Sequence, residues 1–294
     1  KLGGVYGCTR DLYKEFGTER VRNTPISESA IIGAALGAAS GGMRPIAELM
    51  YWDFPFVAAD QIFNQVAKTR YVFGGHAKIP LVIRGQQGTG RGNAATHSQS
   101  LESLFMHIPG LKVVCPSTPA DAAGLLRTAI RDDNPVCFFE HKVLYATKGE
   151  VPDDPDFCIP FGKADIKREG TDVTIVANLL YVKRALEAAD ELAKEGISAE
   201  VIDPRTLVPF DYDTVAESVK KTGRLVVVHE AHQNNGWGAQ VVSQVGQMVF
   251  PYLDAAPVHI GAKACPLPFN LGLEQAVLPS VKDIVDACKA SLYR

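Results

Sequence analysis

The sequence predicts an α/β fold in two domains, and three observations carry that prediction. Strand-like runs rich in branched and aromatic residues alternate with helix-period segments through the first half of the chain. A polar, turn-rich stretch, Lys148-Gly149-Glu150-Val151-Pro152-Asp153-Asp154-Pro155-Asp156, interrupts the pattern, and the alternation then restarts. The strand runs are largely apolar, as in parallel sheets that helices cover on both faces. Residues 1–150 are therefore expected to form one domain, 151–170 a linker and 171–294 a second, smaller α/β domain.

Each element follows from local pattern. Residues 27–40 have the small-residue pattern of a helix, and 45–51 read as a short strand. Residues 58–73 read as an amphipathic helix with Ile62, Val66 and Thr69 spaced along it. Residues 79–84 form a strand that Gly85 is expected to end, and 111–115 another, stopped by Pro116. Thr118 is placed to cap the next helix, with Pro119 at its first position. Residues 136–140 are a further strand. In the second half, 172–177, 199–202 and 225–229 read as strands. Residues 182–195, ended by Gly196, and 212–221 and 236–249 read as helices.

Bulk properties bound the function. The chain has 294 residues, 46% hydrophobic and 21% charged, the balance of a globular protein with a full core. With a net charge of −3 and a pI of about 6.2, it has no basic field for nucleic acid and no basic block for a membrane surface. No apolar run approaches the ~18 residues that cross a bilayer. No signal peptide is visible, and because the chain opens on Lys1 the natural protein is expected to begin upstream. The cysteines form no C-x-x-C pair. Cys137 and His141 have no second ligand pair, so no zinc site is expected. Cys115 and Cys137 lie in apolar runs and read as buried thiols, which suits a reducing compartment: bacterial cytoplasm, or the mitochondrial matrix in a eukaryote.

Four segments of the first half could carry chemistry. Glu28, in Thr24-Pro25-Ile26-Ser27-Glu28, fronts a helix of almost wholly apolar or small residues. A carboxylate held there would lose water and could carry or share a proton near neutrality; equally, it could be a first-turn acid favoured by the helix dipole. Gly33, Gly37 and Gly41 clear one face of the same helix, for a partner subunit or for close packing within the chain. Tyr51-Trp52-Asp53-Phe54-Pro55-Phe56 follows a strand, where α/β sheets bind ligands, and its flat rings could sandwich a heteroaromatic group or form a cluster under a loop. Arg84-Gly85-Gln86-Gln87-Gly88-Thr89-Gly90-Arg91-Gly92 reads as a loop at a strand's carboxyl end. No Gly-Lys-Ser/Thr closes it, so it is not a P-loop. His97, in Ala95-Thr96-His97-Ser98-Gln99-Ser100, could move protons near neutral pH or be a solvated loop residue. No G-x-S-x-G elbow supports a serine hydrolase.

In order along the chain these segments resemble one family. Thr24-Pro25-Ile26-Ser27-Glu28, Arg44-Pro45-Ile46-Ala47-Glu48, Phe54 with Asp60-Gln61-Ile62, His97-Ser98-Gln99-Ser100, Pro109-Gly110-Leu111 and Asp133-Asn134-Pro135-Val136 are similar to β subunits of 2-oxoacid dehydrogenases. The pyruvate, branched-chain and acetoin enzymes belong to that family. The likeness continues through Pro160-Phe161-Gly162-Lys163-Ala164, Asp203-Pro204-Arg205-Thr206-Leu207, Pro266-Leu267-Pro268 and Leu273-Glu274.

The resemblance implies a thiamine pyrimidine-binding parallel-sheet domain followed by a smaller transketolase C-terminal-type α/β domain. It implies an α2β2 enzyme using thiamine diphosphate, which transfers an acyl group to the lipoamide of a lipoyl acyltransferase component. Glu28 would bond the aminopyrimidine ring nitrogen and set its tautomer. Phe54 would stack on the pyrimidine, Ile26 and Met50 would line the same pocket, and His97 would assist substrate binding or acyl transfer. A potassium ion would lie on main-chain oxygens around Ala129, Asp132 and Asn134. Enzymes of this type hold magnesium with a Gly-Asp-Gly segment and a later asparagine. This sequence has no Gly-Asp-Gly, so an α subunit is expected to supply the magnesium–diphosphate half. The family's strand, helix and Gly-Glu-Asp segment upstream of Gly3-Gly4-Val5-Tyr6 are absent here. The rival readings are half of another transketolase-like enzyme, or a docking subunit without catalysis.

Overall fold

Two five-stranded sheets organise the chain, and the apolar runs of the sequence build both. The computed structural model describes residues 3–294; Lys1 and Leu2, the first residues of the expected first domain, lie outside the described residues. The first half runs α1 (Leu12–Arg20), α2 (Glu28–Ser40), β1 (Ile46–Leu49), α3 (Ala67–Val72), β2 (Val82–Gln87), α4 (Glu102–Met106), β3 (Lys112–Val114), α5 (Pro119–Arg131) and β4 (Val136–His141). It continues through β5 (Asp165–Arg168), β6 (Val173–Ala177), α6 (Leu180–Lys194), β7 (Ala199–Asp203), β8 (Thr206–Val208) and α7 (Tyr212–Thr222). The chain closes with β9 (Leu225–His232), α8 (Trp237–Met248), β10 (Val258–Ala262), α9 (Leu271–Ala276) and α10 (Val281–Ser291).

The first sheet has the order β1-β2-β4-β3-β8, parallel except for β8, which pairs antiparallel with β3. The second has the order β10-β9-β6-β7-β5, parallel except for β5 on β7. Strand periodicity sorts the core into layers. Leu49, Ile83, Val113 and Phe139 on one face of the first sheet meet Val176, Ile202 and Val227 of the second, with α7 and α8 (Val215, Val219, Trp237, Val241) in the same cluster. The outer face of the first sheet, with Val82, Val114 and Phe138, is covered by α5. That of the second, with Val173, Ile175 and Val226, is covered by α6 and α10. Thr118 caps α5 as its sequence predicts, accepting from the Asp121 amide at 3.1 Å, with Pro119 in the first turn. Gly196, at φ +76°, ends α6.

Four expectations are corrected. Gly85 does not end β2 but lies inside it, and the strand is displaced from 79–84 to Val82–Gln87. A Cβ at Gly85 would sit 2.6 Å from the Leu49 carbonyl and 3.4 Å from the Trp52 ring, so this glycine serves close approach rather than termination. The helix expected over 58–73 is a 3-10 turn, Pro55–Ala58, then a π-helical stretch, Asp60–Val66, and only then α3. The segment 151–170 is not wholly a linker: Phe157, Ile159 and Phe161 pack beneath α5, and β5 forms an edge of the second sheet. Finally β8, from the second half of the sequence, belongs to the first sheet; three residues are too few to show a period.

Candidate active site

Strands β1, β2 and β4 are neighbours and parallel, so the segments leaving them share one sheet edge. Those segments are Met50 to Phe54 after β1, the glycine loop from Gly88 after β2, and Lys142 after β4. Helix α2 packs against β1 and leads into it by a short turn, which brings its first residue to the same edge. This is the edge where open α/β sheets bind ligands.

Glu28 is the first residue of α2 and is 9% exposed. Its neighbour Ser29 donates from its hydroxyl to the Val57 carbonyl at 2.5 Å, tying the start of α2 to the turn that follows Phe54. Ile26, two residues upstream, is 73% exposed, and Met50 and Phe54 are half-buried. The apolar surface beside Glu28 is therefore open. The glycine stripe of α2 stays open as well: a Cβ at Gly37 would meet nothing within 4 Å, and one at Gly33 only Gln61, at 4.0 Å.

Asp53 joins this corner to the histidine loop. Its Oδ1 accepts from the Gln99 amide at 3.0 Å and the Gln99 side chain at 3.1 Å, while burial pushes its carboxyl up. The His97 ring lies edge-on to Phe54, with centroids 5.1 Å apart, and to Tyr51, at 5.3 Å. Thr96 Oγ1 is 3.0 Å from His97 Nδ1. Phe54 and His97, read from distant segments, are thus in contact, and the Ser29–Val57 bond ties the start of α2, where Glu28 sits, to the segment after Phe54.

The glycine loop is gripped from the second half of the chain. Arg84 to Gln87, expected in the loop, are strand, and Arg84 is paired there with Glu140 and Glu48. The loop starts at Gly88, whose φ is +91° and whose Cβ would strike His141 and Glu230. Glu230, from β9, accepts from the Thr89 amide at 2.5 Å and pairs with His141 Nε2 at 2.9 Å. Burial raises the Glu230 carboxyl, but His141 and the Thr89 donors outweigh it and hold it below the ordinary range. Glu274, from α9, accepts from the Gly90 amide at 3.0 Å. Lys142 and Glu230 were not singled out in the sequence, and Asp53 and Glu274 appeared there only within longer segments, with no role of their own. The available signal was a charged residue at the carboxyl end of an apolar strand, as with Lys142 after Val136-Cys137-Phe138-Phe139 and Glu230 after Val226-Val227-Val228.

Ala129, Asp132 and Asn134 lie together at the end of α5. Asp132 Oδ1 accepts from the Asn134 amide and side chain at 2.8 Å each, and its carboxylate pairs with Lys112. The carbonyls of Ile130 and Asp132 both accept from Arg44 at 3.0 Å. Among the described residues no helix is long and apolar enough to cross a membrane.

Comparison with known proteins matches this architecture at both ends. Residues 2–148 match the family model "Transketolase, pyrimidine binding domain", and residues 162–284 match "Transketolase, C-terminal domain". The chain is 54% identical over 290 residues to an acetoin:2,6-dichlorophenolindophenol oxidoreductase subunit beta of Cupriavidus necator, covering 99% of this chain and 85% of that one. It is 51% identical to the protein of the same name in Bacillus subtilis, covering 96% and 82%. It is 47% identical to a pyruvate dehydrogenase E1 component subunit beta of Rhizobium meliloti, covering 99% of this chain and 63% of that one. Among solved structures, a split-gene transketolase in an inactive β4 tetramer superposes with a TM-score of 0.78 at 25% identity, covering 98% of this chain and 90% of that one.

Proposed function

The chain belongs to the family of pyruvate and acetoin dehydrogenase E1 beta subunits, and from that premise we propose that the edge bearing Glu28, Phe54 and His97 is the pyrimidine half of a thiamine diphosphate site. The observation that carries the reading is the corner itself. A buried carboxylate at a helix start suits a protonated ring nitrogen, and a half-buried aromatic face beside open apolar surface suits a flat heterocycle.

When bound, thiamine diphosphate supplies the electron sink for cleavage next to the substrate carbonyl. Glu28 holds the ring-nitrogen proton and so selects the tautomer; Phe54 stacks on the pyrimidine and orients it; Ile26 and Met50 complete its apolar wall. His97, held against Phe54, assists substrate binding or passage of the acyl group to lipoamide. The openness around Ile26 supports a second chain closing the site. That chain is the α subunit of an α2β2 assembly, carrying the magnesium and diphosphate contacts for which this sequence has no Gly-Asp-Gly. A lipoyl acyltransferase component takes the product. The substrate is a 2-oxoacid or acetoin, and the six free cysteines suit a reducing compartment, the bacterial cytoplasm or a mitochondrial matrix.

In this reading residues 1–150 make the pyrimidine-binding domain and 171–294 the C-terminal domain. It extends to a potassium ion at the end of α5, where helix-end carbonyls carry partial negative charge. Arg44 donates one bond to each of the Ile130 and Asp132 carbonyls, leaving a second lone pair on each oxygen for the ion. A melting temperature raised by potassium but not by sodium chloride checks it. The likeness to a split-gene transketolase favours one second reading, half of an enzyme that transfers ketol groups between sugars.

The test is co-expression with the partner chain and assay on acetoin, pyruvate, branched 2-oxoacids and sugar phosphates. In the assembled pair Glu28→Gln, which keeps shape and loses the acid, is expected to lower turnover by at least ~100-fold. Unchanged turnover with Glu28→Gln sinks the assignment. Turnover of sugar phosphates alone moves it to the second reading.

A further inference from the structure

Lys142 is the one charged residue among the largest fully buried side chains of the described residues, at 0% exposure, and it stands at the carboxyl end of β4 on the site edge. An ammonium in that position persists only if its donors are met. Its three contacts all go to the segment carrying His97: the His97 carbonyl at 2.7 Å, Asn93 Oδ1 at 3.1 Å and Ser98 Oγ at 3.4 Å. Its Nζ also lies 5.6 Å from the centroid of the Tyr51 ring, against which the His97 ring packs. One cation thus holds both the backbone of the histidine loop and the aromatic wall behind the imidazole.

We propose that Lys142 is a positioning residue for His97, fixing the histidine loop to the rigid end of β4 without touching substrate or cofactor. The inference rests on the reading of this edge as the thiamine diphosphate site. Other ways of holding the loop are less direct. Glu230 and Glu274 grip its glycine end at Thr89 and Gly90, and Gln99 anchors its far end on Asp53. Among the described residues Lys142 is the one side chain bonded to the main chain of His97, whose amide otherwise donates to the Ala94 carbonyl within the same loop at 3.3 Å. The ammonium is faced by Asp53, Glu230 and Glu274, which favour its charge, and by Arg91, which opposes it; burial outweighs them and lowers it to about 8. It is charged below that pH and neutral above, so its hold on the carbonyl and hydroxyl acceptors weakens as pH rises through about 8.

The experiment uses the assembled pair of chains. Three quantities are measured: thiamine diphosphate affinity, lipoamide-dependent turnover of the substrate the pair cleaves, and the pH profile of that turnover. Lys142→Met is expected to keep cofactor affinity within about twofold and to lower turnover about ten- to a hundredfold, the scale of a misplaced catalytic group. Added to His97→Ala it should cost nothing further, because both act through one side chain. Wild-type turnover is expected to fall as pH rises through about 8, and that fall should vanish with Lys142→Met. Unchanged turnover, losses that add, or a retained alkaline limb each overturn the proposal. If Lys142→Met does not assemble, Asn93→Ala removes one acceptor and leaves the buried ammonium in place. It must then show the same non-additivity with His97→Ala, and additive losses overturn the proposal equally. Glu28→Gln in parallel separates the two readings: unchanged turnover with Glu28→Gln defeats the site, whereas a dead Glu28→Gln beside a fully active Lys142→Met defeats only this inference.

Discussion

Three glycines, Gly236, Gly238 and Gly261, press against the ring of His229 at the end of the second sheet. Its Nδ1 is 3.0 Å from the Ala231 carbonyl, while its Nε2 is buried without a partner. Burial, with His259 nearby, lowers it from 6.5 to about 3. Between those pH values the unfolded chain binds a proton that the folded chain refuses, so this residue's contribution falls as pH falls. Its stability is complete above pH 6.5 and is lost at up to about 1.4 kcal/mol per pH unit below that. The measurement is denaturant unfolding at pH 7 and pH 5 for the wild type and His229→Asn. The wild type should lose about 2 kcal/mol more than the variant between them, and parallel losses would count against this account. The variant is needed because buried Asp203, raised by burial to about 6, contributes in the opposite direction. At the same scale, Glu28 and His97 stand out in the sequence as candidates because each is a polar residue set among small or apolar ones. Lys142 and Glu230 do not, because a strand run hides a charge whose partner lies far along the chain.

Helix α5 shows an element whose boundary is written locally. Thr118 bonds both the amide and the carboxylate of Asp121, so its effect is confined to the first turn. Thr118→Ala should cost about 1 kcal/mol and lower the melting temperature by roughly 2–4 °C, read by calorimetry. The glycine loop is the contrasting element, since its shape is imposed from outside. At Gly88 the left-handed backbone and the nearness of His141 and Glu230 leave no room for a methyl group. Gly88→Ala should cost about 1–3 kcal/mol in strain and displace the His141–Glu230 pair. Turnover should then fall much further than stability; a variant as active as wild type would show that the grip is dispensable. Gly85 was misread for the same reason. Its neighbours Leu49 and Trp52 are remote in sequence, so strand termination and close approach look alike from pattern alone. The π-helical stretch escapes pattern too, since one wider turn hardly changes a 3.6-residue period.

Across the whole molecule the two halves share one core. The largest apolar cluster joins Trp52, Phe105 and Phe139 of the first half to Val215, Trp237 and Val241 of the second. Strand β8 extends the first sheet, and Asp121 on α5 is paired with Lys167 and Arg205 across the same junction. A fragment of residues 1–161 should therefore lack a cooperative thermal transition by circular dichroism, having lost β8 and the partners of its inner face. A sharp, reversible melt of that fragment would show that the first domain folds alone.

Local chemistry determined what could be read without the fold: two α/β halves, the cap of α5, most strands, and the family likeness with its Glu28, Phe54 and His97 segments. These depend on periodicity, turn residues and short ordered motifs, all of which act over a few residues. The tertiary structure alone decided that β8 crosses to the first sheet, that Glu230 and Glu274 hold the glycine loop, and that Lys142 is spent on the His97 carbonyl. Each of these contacts joins residues some 45 to 184 positions apart or more than one element away, where only packing and the need to satisfy buried polar groups choose the partner.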